Sequence, residues 1–308
     1  MVSFGEQRFW ENYQTWKETH QEYNITRDLL RVNWKSDKYR EMKYGNGKLT
    51  SGMRSTLRNL LVKKEKKPNS RTFKALNWRR LANENGELSE HGRVLALSQL
   101  SLKRQCQLLN LPLFEWNVST LENPENTVQS MLEQQGSQSY FVENTFCLFI
   151  DYVMGNALLE VAEKLGKHVY TLDLTYDPEI FFFVKKDLEK YLNSLNENHC
   201  IGNFPVCKPF LGTIFTNDTP QQILTLFDKI FRSLGVDRVK KLLRMYFSNP
   251  LAYSYRGWPD LFVIEKQNAY CIEVKTTDKL HLNQLVTIPD LVVVAGLSVH
   301  VVKLTLRK

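Results

Sequence analysis

Residues 256–277, RGWPDLFVIEKQNAYCIEVKTT, hold two carboxylates and a lysine in a stretch that otherwise resembles buried β-structure. Two runs rich in β-branched and aromatic residues, LFVIE and AYCIEVK, flank the short polar segment KQN, which predicts a β-hairpin. Asp260 stands at the start of the first run, and Glu273 and Lys275 lie two residues apart in the second. The sequence therefore predicts charged side chains on adjacent strands of one sheet.

Strand alternation predicts where these charges point. Successive side chains along a strand face opposite sides of the sheet, so Glu273 and Lys275 share the face of Cys271, and Ile272 and Val274 point the other way. Asp260 begins the partner strand of the hairpin, and we expect it to lie across from Glu273. Each residue also has a structural interpretation, in which Asp260 starts a turn and Glu273 pairs with Lys275 on an exposed strand face.

The combination of two carboxylates and a lysine favours one kind of chemistry. Neighbouring carboxylates repel each other unless a proton or a cation lies between them. Mg²⁺ typically binds one or two protein carboxylates together with water and substrate phosphate oxygens. A lysine beside the metal can orient or help deprotonate an attacking water. The stretch therefore predicts metal-assisted hydrolysis of a phosphodiester, with Mg²⁺ or Mn²⁺ as the cofactor.

Basic residues are concentrated in the first part of the chain. Residues 1–120 hold 22 Lys/Arg and 12 Asp/Glu, a net charge of +10, and the rest holds 19 Lys/Arg and 21 Asp/Glu, a net charge of −2. This asymmetry indicates a polyanionic partner, most often nucleic acid, although a solvated surface can have the same composition. The five cysteines form no CxxC pair, which predicts a reducing compartment and no disulfide framework.

The composition also predicts how the chain is divided. Residues 119–138 are rich in Asn, Ser, Gln and Glu with one Pro, which predicts a linker between a basic helical domain, 1–118, and a C-terminal domain, 139–308. The first domain is compatible with a winged helix and equally with a generic helical domain, and Ser89 is expected to cap one of its helices. In the second domain we expect a long helix over 139–165, inserted helices at about 170–250, a helix kinked or broken at Pro289 and a last strand, SVHVVKLTL.

Several basic residues of the first domain are candidates for contact with DNA. The run KKEKK at 63–67 reads as a loop touching phosphate, and the helical segment TFKALNWRRLAN projects two arginines. The candidates are Lys63, Lys64, Lys66, Lys67, Arg79 and Arg80.

The pattern P-D, hairpin, E-V-K resembles the core of the PD-(D/E)XK nucleases. The fuller pattern RGWPDLFV, IEVKTTDKL and NQL resembles the VRR-NUC branch, and within it the Fanconi-associated nuclease family. The segment YFVENTFCLFIDYVMG resembles the helix start at which that family carries its first catalytic acid. The resemblance covers residues 139–308 and departs from the family at Thr276 and Thr277, where Gly-Pro is usual. It implies an α/β, restriction-endonuclease-like fold with inserted helices behind a mainly helical domain.

The resemblance also implies a role for each candidate residue. Asp260 and Glu273 would bind the metal with the Val274 carbonyl, and Glu143 would complete the acid cluster through water or a second metal. Lys275 would orient the attacking water or help to deprotonate it. Gln284 would support Lys275 or a phosphate, and Arg256 would contact the cleaved strand.

The expected function is a metal-dependent DNA nuclease that acts on 5′-flapped or branched DNA, or as a 5′ exonuclease, in DNA repair or processing. The 117 positions between Glu143 and Asp260 leave room for inserted helices that would block pairing of two copies, so we expect a monomer. One alternative is an interbacterial or phage-defence toxin of the same chemistry, and another is an inactive DNA-binding scaffold. The N-terminus has no signal-peptide core, which predicts a cytoplasmic protein, nucleoid-associated if bacterial, or one secreted by a signal-free route if it is a toxin.

Overall fold

A mixed five-stranded sheet lies at the centre of the described part of the chain. The computed structural model describes residues 49–63, 71–79, 81–143, 145–167, 178–199, 220–248, 257–266, 268–277 and 279–307. The strands are β1 (Leu113–Val118), β2 (Gln138–Phe141), β3 (Leu261–Glu265), β4 (Asn268–Lys275) and β5 (Ser298–Leu306). They are ordered β1-β5-β4-β3-β2. The result is an α/β fold whose central strand, β4, carries Glu273 and Lys275.

Helices account for most of the remaining described residues. They are α1 (Ser51–Lys63), α2 (Arg71–Trp78), α3 (Glu90–Leu97), α4 (Leu102–Leu109), α5 (Pro124–Gln134), α6 (Phe146–Val153), α7 (Gly155–Lys164), α8 (Pro178–Lys186), α9 (Leu188–Ser194), α10 (Pro220–Leu234), α11 (Val236–Ser248) and α12 (Gln284–Val293). None of those in the described ranges combines the length and apolar character that crossing a bilayer requires.

The predicted hairpin and its alternation are confirmed. Strands β3 and β4 are antiparallel, and Leu261 pairs with Ile272. Cys271 joins the large hydrophobic cluster on one face of the sheet, whereas Ile272 and Val274 join a smaller cluster on the other face, which helix α5 covers. The predicted last strand is also present and runs parallel to β4. Period-two patterning thus identified the strands that carry the charged residues.

Two helix predictions are wrong. The helix expected over 139–165 begins only at Phe146, because Gln138–Phe141 forms an edge strand antiparallel to β3, and it is interrupted at Met154. Of the kink or break expected at Pro289, the break is absent, since α12 continues through this residue to Val293. In the first case, pairing with β3 keeps residues 138–141 extended despite the helical periodicity of the sequence. In the second case, burial of α12 against the core keeps the helix continuous through Pro289.

The sheet does not follow the domain ranges expected from composition. The range 119–138 contains helix α5, and Leu113–Val118, at the end of the expected helical domain, forms strand β1 parallel to β5. Residues of α1 to α4 belong to the same hydrophobic cluster as residues of α6 and α12. The N-terminal helices and the sheet therefore share a core. Within the range 170–250, the described residues form α8 to α11.

A tight turn lies between α2 and α3. Ser89 caps α3 as expected, because its Oγ accepts a hydrogen bond from the Gly92 backbone N–H at 3.1 Å. A short antiparallel bridge between Ala82 and Leu88 closes the connection from α2 to α3. A winged helix stays a prediction for this region.

A close backbone approach at Gly257 fixes the segment that precedes Asp260. Gly257 has φ of +89°, a conformation that favours glycine. A Cβ at this position would lie 2.5 Å from the Asn283 carbonyl oxygen and 2.8 Å from the Thr287 hydroxyl. Only a residue without a side chain lets the chain before Asp260 contact the start of α12.

We expect Gly257→Ala to destabilise the fold more than Gly136→Ala does. Both glycines have positive φ, so both changes add left-handed strain, but the Cβ at Gly136 would meet nothing within 4 Å. The strain is worth about 1–2 kcal/mol, and the clash at Gly257 adds roughly 1–3 kcal/mol. Chemical denaturation measures both free energies of unfolding. Equal losses for the two variants would contradict the close approach.

Candidate active site

Asp260, Glu273 and Lys275 converge at one face of the sheet. Leu261 pairs with Ile272, so continuing the antiparallel register places Asp260 beside Glu273. The Asp260 Oδ2 atom accepts a hydrogen bond from the Val274 backbone N–H at 2.6 Å. The exposed fractions are 8% for Asp260, 0% for Glu273 and 7% for Lys275. Burial excludes the interpretation of these residues as a surface turn and a solvated ion pair.

The Glu273 carboxylate is contacted on one oxygen and left open on the other. Its Oε1 atom lies 2.5 Å from the Lys275 Nζ atom and accepts a hydrogen bond from the Gln284 Nε2 atom, also at 2.5 Å. Its Oε2 atom is buried and has no hydrogen-bond partner within the described residues. A buried unpaired carboxylate oxygen is costly, and a bound cation would satisfy it.

Two contacts bring Glu143 towards the pair of buried carboxylates. The Val142 backbone N–H donates a hydrogen bond to the Asp260 carbonyl oxygen at 2.9 Å, which continues the pairing of β2 with β3. Phe146, at the start of α6, stacks on the fully buried Trp258 with ring centroids 4.8 Å apart. Glu143 lies between these two anchors, and its residue surface is exposed.

The environment makes the buried carboxyl groups hard to ionise. Burial raises the pKa of Asp260 to about 7, and the hydrogen bond from Val274 and the charge of Lys275 only partly offset this effect. Burial and then the charge of Asp260 raise the pKa of Glu273 well above its usual value, despite the adjacent lysine. Desolvation also raises the pKa of Glu143, and the charge of Lys275 acts against this effect. A cation at the site would reverse this destabilisation of the charged forms.

The residues fit a hard divalent cation with few protein ligands. Asp260 and the open oxygen of Glu273 are carboxylate donors of the type that Mg²⁺ and Mn²⁺ prefer. Within the described ranges, no group of three or more His, Cys, Asp or Glu side chains is placed to hold a metal ion. The role of Glu143, through water or a second metal, and that of the Val274 carbonyl stay predictions.

Glu125 was not predicted for the site. It lies in the first turn of α5, and its charge acts to raise the pKa of both Asp260 and Glu143. No sequence pattern pointed to Glu125, because it stands in the range expected to be a linker.

The predicted DNA-contacting residues are only partly described. Arg256, Lys64, Lys66, Lys67 and Arg80 lie outside the described residues. Lys63 is the last residue of α1, and its side chain is outside the described part. Arg79 is half-buried just after α2. Their role in binding DNA stays a prediction.

The structure exposes further cations that were not singled out from the sequence. Helices α1 and α2 contain no acidic residue. Arg54 and Arg58 are exposed on α1, and Arg71 and Lys74 are exposed on α2 opposite the buried Phe73. Helical spacing of the buried residues would have identified this surface.

No protein-family model and no curated protein match the sequence. Among solved structures, the chain is similar to a crystal structure of paFAN1 bound to 2-nt 5′-flap DNA with a gap, with a TM-score of 0.45 and 14% identity. It is also similar to paFAN1 bound to 1-nt 5′-flap DNA with a gap, with a TM-score of 0.46 and 15% identity. The matches cover 99% and 89% of this chain but 62% and 52% of those chains. With TM-scores and sequence identities this low, the likeness supports no inference about function.

We expect Asp260→Asn to stabilise the metal-free protein at pH 8. Because the pKa of Asp260 rises from about 3.8 to about 7 on folding, its contribution to stability is present at low pH and is lost as the pH rises through 7. Asparagine removes the buried charge and keeps an acceptor for the Val274 N–H. In EDTA at pH 8 we expect Tm to rise by about 3 °C or more, and the gain to shrink towards pH 5.

The matched control is Glu115→Gln, which neutralises an exposed carboxylate on β1 of the same sheet. Its Tm should follow that of the wild type at both pH values. A lower Tm for Asp260→Asn at pH 8 would show that the buried carboxylate is not destabilising.

Proposed function

We propose that this protein is a divalent-metal-dependent DNA nuclease that hydrolyses phosphodiester bonds. The observation that supports this most is the burial of Asp260, Glu273 and Lys275 together, with one Glu273 oxygen contacted and the other unpartnered among the described residues. A purely structural ion pair has no need of a second buried carboxylate beside it, since that carboxylate weakens the pair. In a metal site the second carboxylate has a role, because it is a further ligand for the cation.

Each side chain then has a role in the proposed reaction. Asp260 and Glu273 would hold Mg²⁺ or Mn²⁺, with the Val274 carbonyl as a further ligand and Glu143 bound through water. The bound metal would polarise the phosphodiester and favour ionisation of a water molecule. Lys275 donates to Glu273 and has further N–H groups to orient that water. Gln284 occupies Oε1 of Glu273, which leaves Oε2 for the cation.

The order of the site along the chain supports a PD-(D/E)XK core. A strand that ends before Glu143 pairs with β3, which begins after Asp260, and β3 pairs with β4, which carries Glu273 and Lys275. Helix α12 and the parallel strand β5 follow. The resemblance of RGWPDLFV and IEVKTT to the VRR-NUC branch agrees with this order, and Gln284 is the first residue of α12.

The proposed substrate is DNA with a 5′ flap or a branch, processed by a monomer in DNA repair. The basic surface of α1 and α2 supports a DNA partner, and the resemblance to the Fanconi-associated family supports the flap. The inserted helices support the monomer, because α10 reaches the edge strand β2 through a hydrogen bond from Lys229 Nζ to the Tyr140 hydroxyl at 3.1 Å. Gel filtration showing an obligate dimer would contradict this part.

We expect wild-type protein to cut end-labelled DNA in Mg²⁺ or Mn²⁺ and not in EDTA, with a 5′ flap preferred over a 3′ flap, a four-way junction, duplex and single strands. Asp260→Asn and Glu273→Gln should reduce the single-turnover rate by about 10³-fold or more, because each removes a carboxylate that holds the metal. Glu115→Gln is the control. The metal should also raise the Tm of the wild type but not of Asp260→Asn.

The outcomes separate the alternatives. Rapid cutting of all DNA forms without preference would favour a toxin. DNA binding with no cutting in either metal would make the protein a scaffold and overturn the proposal.

We expect Arg54→Gln with Arg58→Gln to weaken DNA binding measured in EDTA by about 10-fold or more at 100 mM salt. Loss of two phosphate contacts should also reduce the slope of log K against log salt by about 2. The matched control is Arg238→Gln with Lys241→Gln, which removes two exposed cations from α11. Equal effects of the two double variants would mean that binding responds only to net charge.

A further inference from the structure

One polar side chain from the N-terminal helices reaches the segment between Lys275 and Gln284. Gln105, on α4, is fully buried. Its Oε1 atom accepts a hydrogen bond from the Leu280 backbone N–H at 2.7 Å, and its Nε2 atom donates to the Leu97 carbonyl oxygen at 3.0 Å. The first contact joins residues 175 positions apart in the chain.

Both ends of this amide are determined by their partners. A backbone N–H can only donate and a backbone carbonyl can only accept, so the Gln105 oxygen must face Leu280 and its nitrogen must face Leu97. Leu97 is the last residue of α3, and α3 packs against α12. Gln105 therefore ties the segment that follows β4 to the C-terminal end of α3.

A short series of contacts leads from Leu280 to the buried carboxylate. Leu280 is 3% exposed, so its backbone N–H needs an internal acceptor, which Gln105 supplies. The next backbone N–H, at His281, donates to the Gln284 Oε1 atom at 2.9 Å. The same side chain donates through Nε2 to Glu273. The position of the 280–281 backbone thus sets the orientation of the Gln284 amide against Glu273.

We propose that Gln105 is a positioning residue of the active site, which holds the segment 279–283 so that Gln284 leaves one oxygen of Glu273 open for the metal. This inference rests on the proposed nuclease function. Gln105 acts through Gln284 and touches neither the metal-binding carboxylates nor the substrate. The helical part of the chain therefore contributes to the geometry of the active site as well as to DNA binding.

The test compares Gln105→Met with Gln107→Met. Methionine matches glutamine in length and volume but offers neither hydrogen bond, and Gln107 is exposed on the same helix. Hydrogen–deuterium exchange in EDTA reports on the segment 277–285 without any need for activity. We expect faster exchange there in Gln105→Met and no change in Gln107→Met.

Kinetics separate a positioning role from a general loss of stability. Below its Tm, Gln105→Met should cut the 5′-flap substrate about 10-fold or more slowly in a single turnover, with its Kd for DNA in EDTA unchanged within about twofold. In a Gln284→Ala background the same substitution should change the rate by less than about threefold, since the two residues act in series. Gln105→Glu, which keeps an acceptor for Leu280, should show slower exchange in 277–285 than Gln105→Met.

Two results would overturn the inference. Unchanged exchange in 277–285 would mean that Gln105 does not hold the segment, and rate losses that multiply in the double variant would mean that it does not act through Gln284. If Gln105→Met does not fold, Gln105→Asn, whose side chain is one methylene shorter and cannot reach Leu280 in the same way, replaces it in the same exchange measurement, and exchange equal to that of the wild type throughout 277–285 would overturn the inference. Absence of cutting by the wild type would refute the proposed function instead, and the exchange result would still decide whether Gln105 holds the segment.

Discussion

The arrangement of the site depends on keeping the Glu273 carboxylate inside the sheet. A carboxyl group with no solvent contact is tolerated only when a nearby group compensates its charge or when it is protonated. Lys275, two positions along the same strand, and Gln284, the first residue of α12, both contact one of its oxygens. The register of β3 against β4 then sets Asp260 beside it, so a single strand pairing determines the geometry of both carboxylates.

This arrangement places function and stability in opposition. Burial raises the pKa of Asp260 to about 7 and that of Glu273 well above its usual value, so the folded chain holds these groups in their charged forms only at a free-energy cost. Groups arranged in this way are frequent where catalysis needs them, because a ligand that arrives later recovers the cost. The surrounding core, with Phe146 stacked on Trp258, supplies the rigidity that keeps the carboxylates together.

The site is assembled from parts that are distant in the chain. Strand β2 brings Glu143 to the site by pairing with β3. The first residue of β3 follows Glu143 by more than a hundred positions in the sequence. Gly257 lets the backbone before Asp260 approach Asn283, and Gln105 holds the segment on the other side. The inserted helices and the N-terminal helices both pack into the large hydrophobic cluster that supports the sheet.

The sequence by itself determined strands β3, β4 and β5 and the charged residues on β4, because runs of β-branched and aromatic residues such as LFVIE and AYCIEVK are a local property. It also marked Asp260, Glu273, Lys275 and Gln284, which lie within 25 positions of one another. Only the tertiary structure decided that residues 138–141 form an edge strand, that α12 continues through Pro289 and that Gln105 contacts Leu280. These depend on partners far away in the chain, and local propensity carries no information about which distant group will be available to pair.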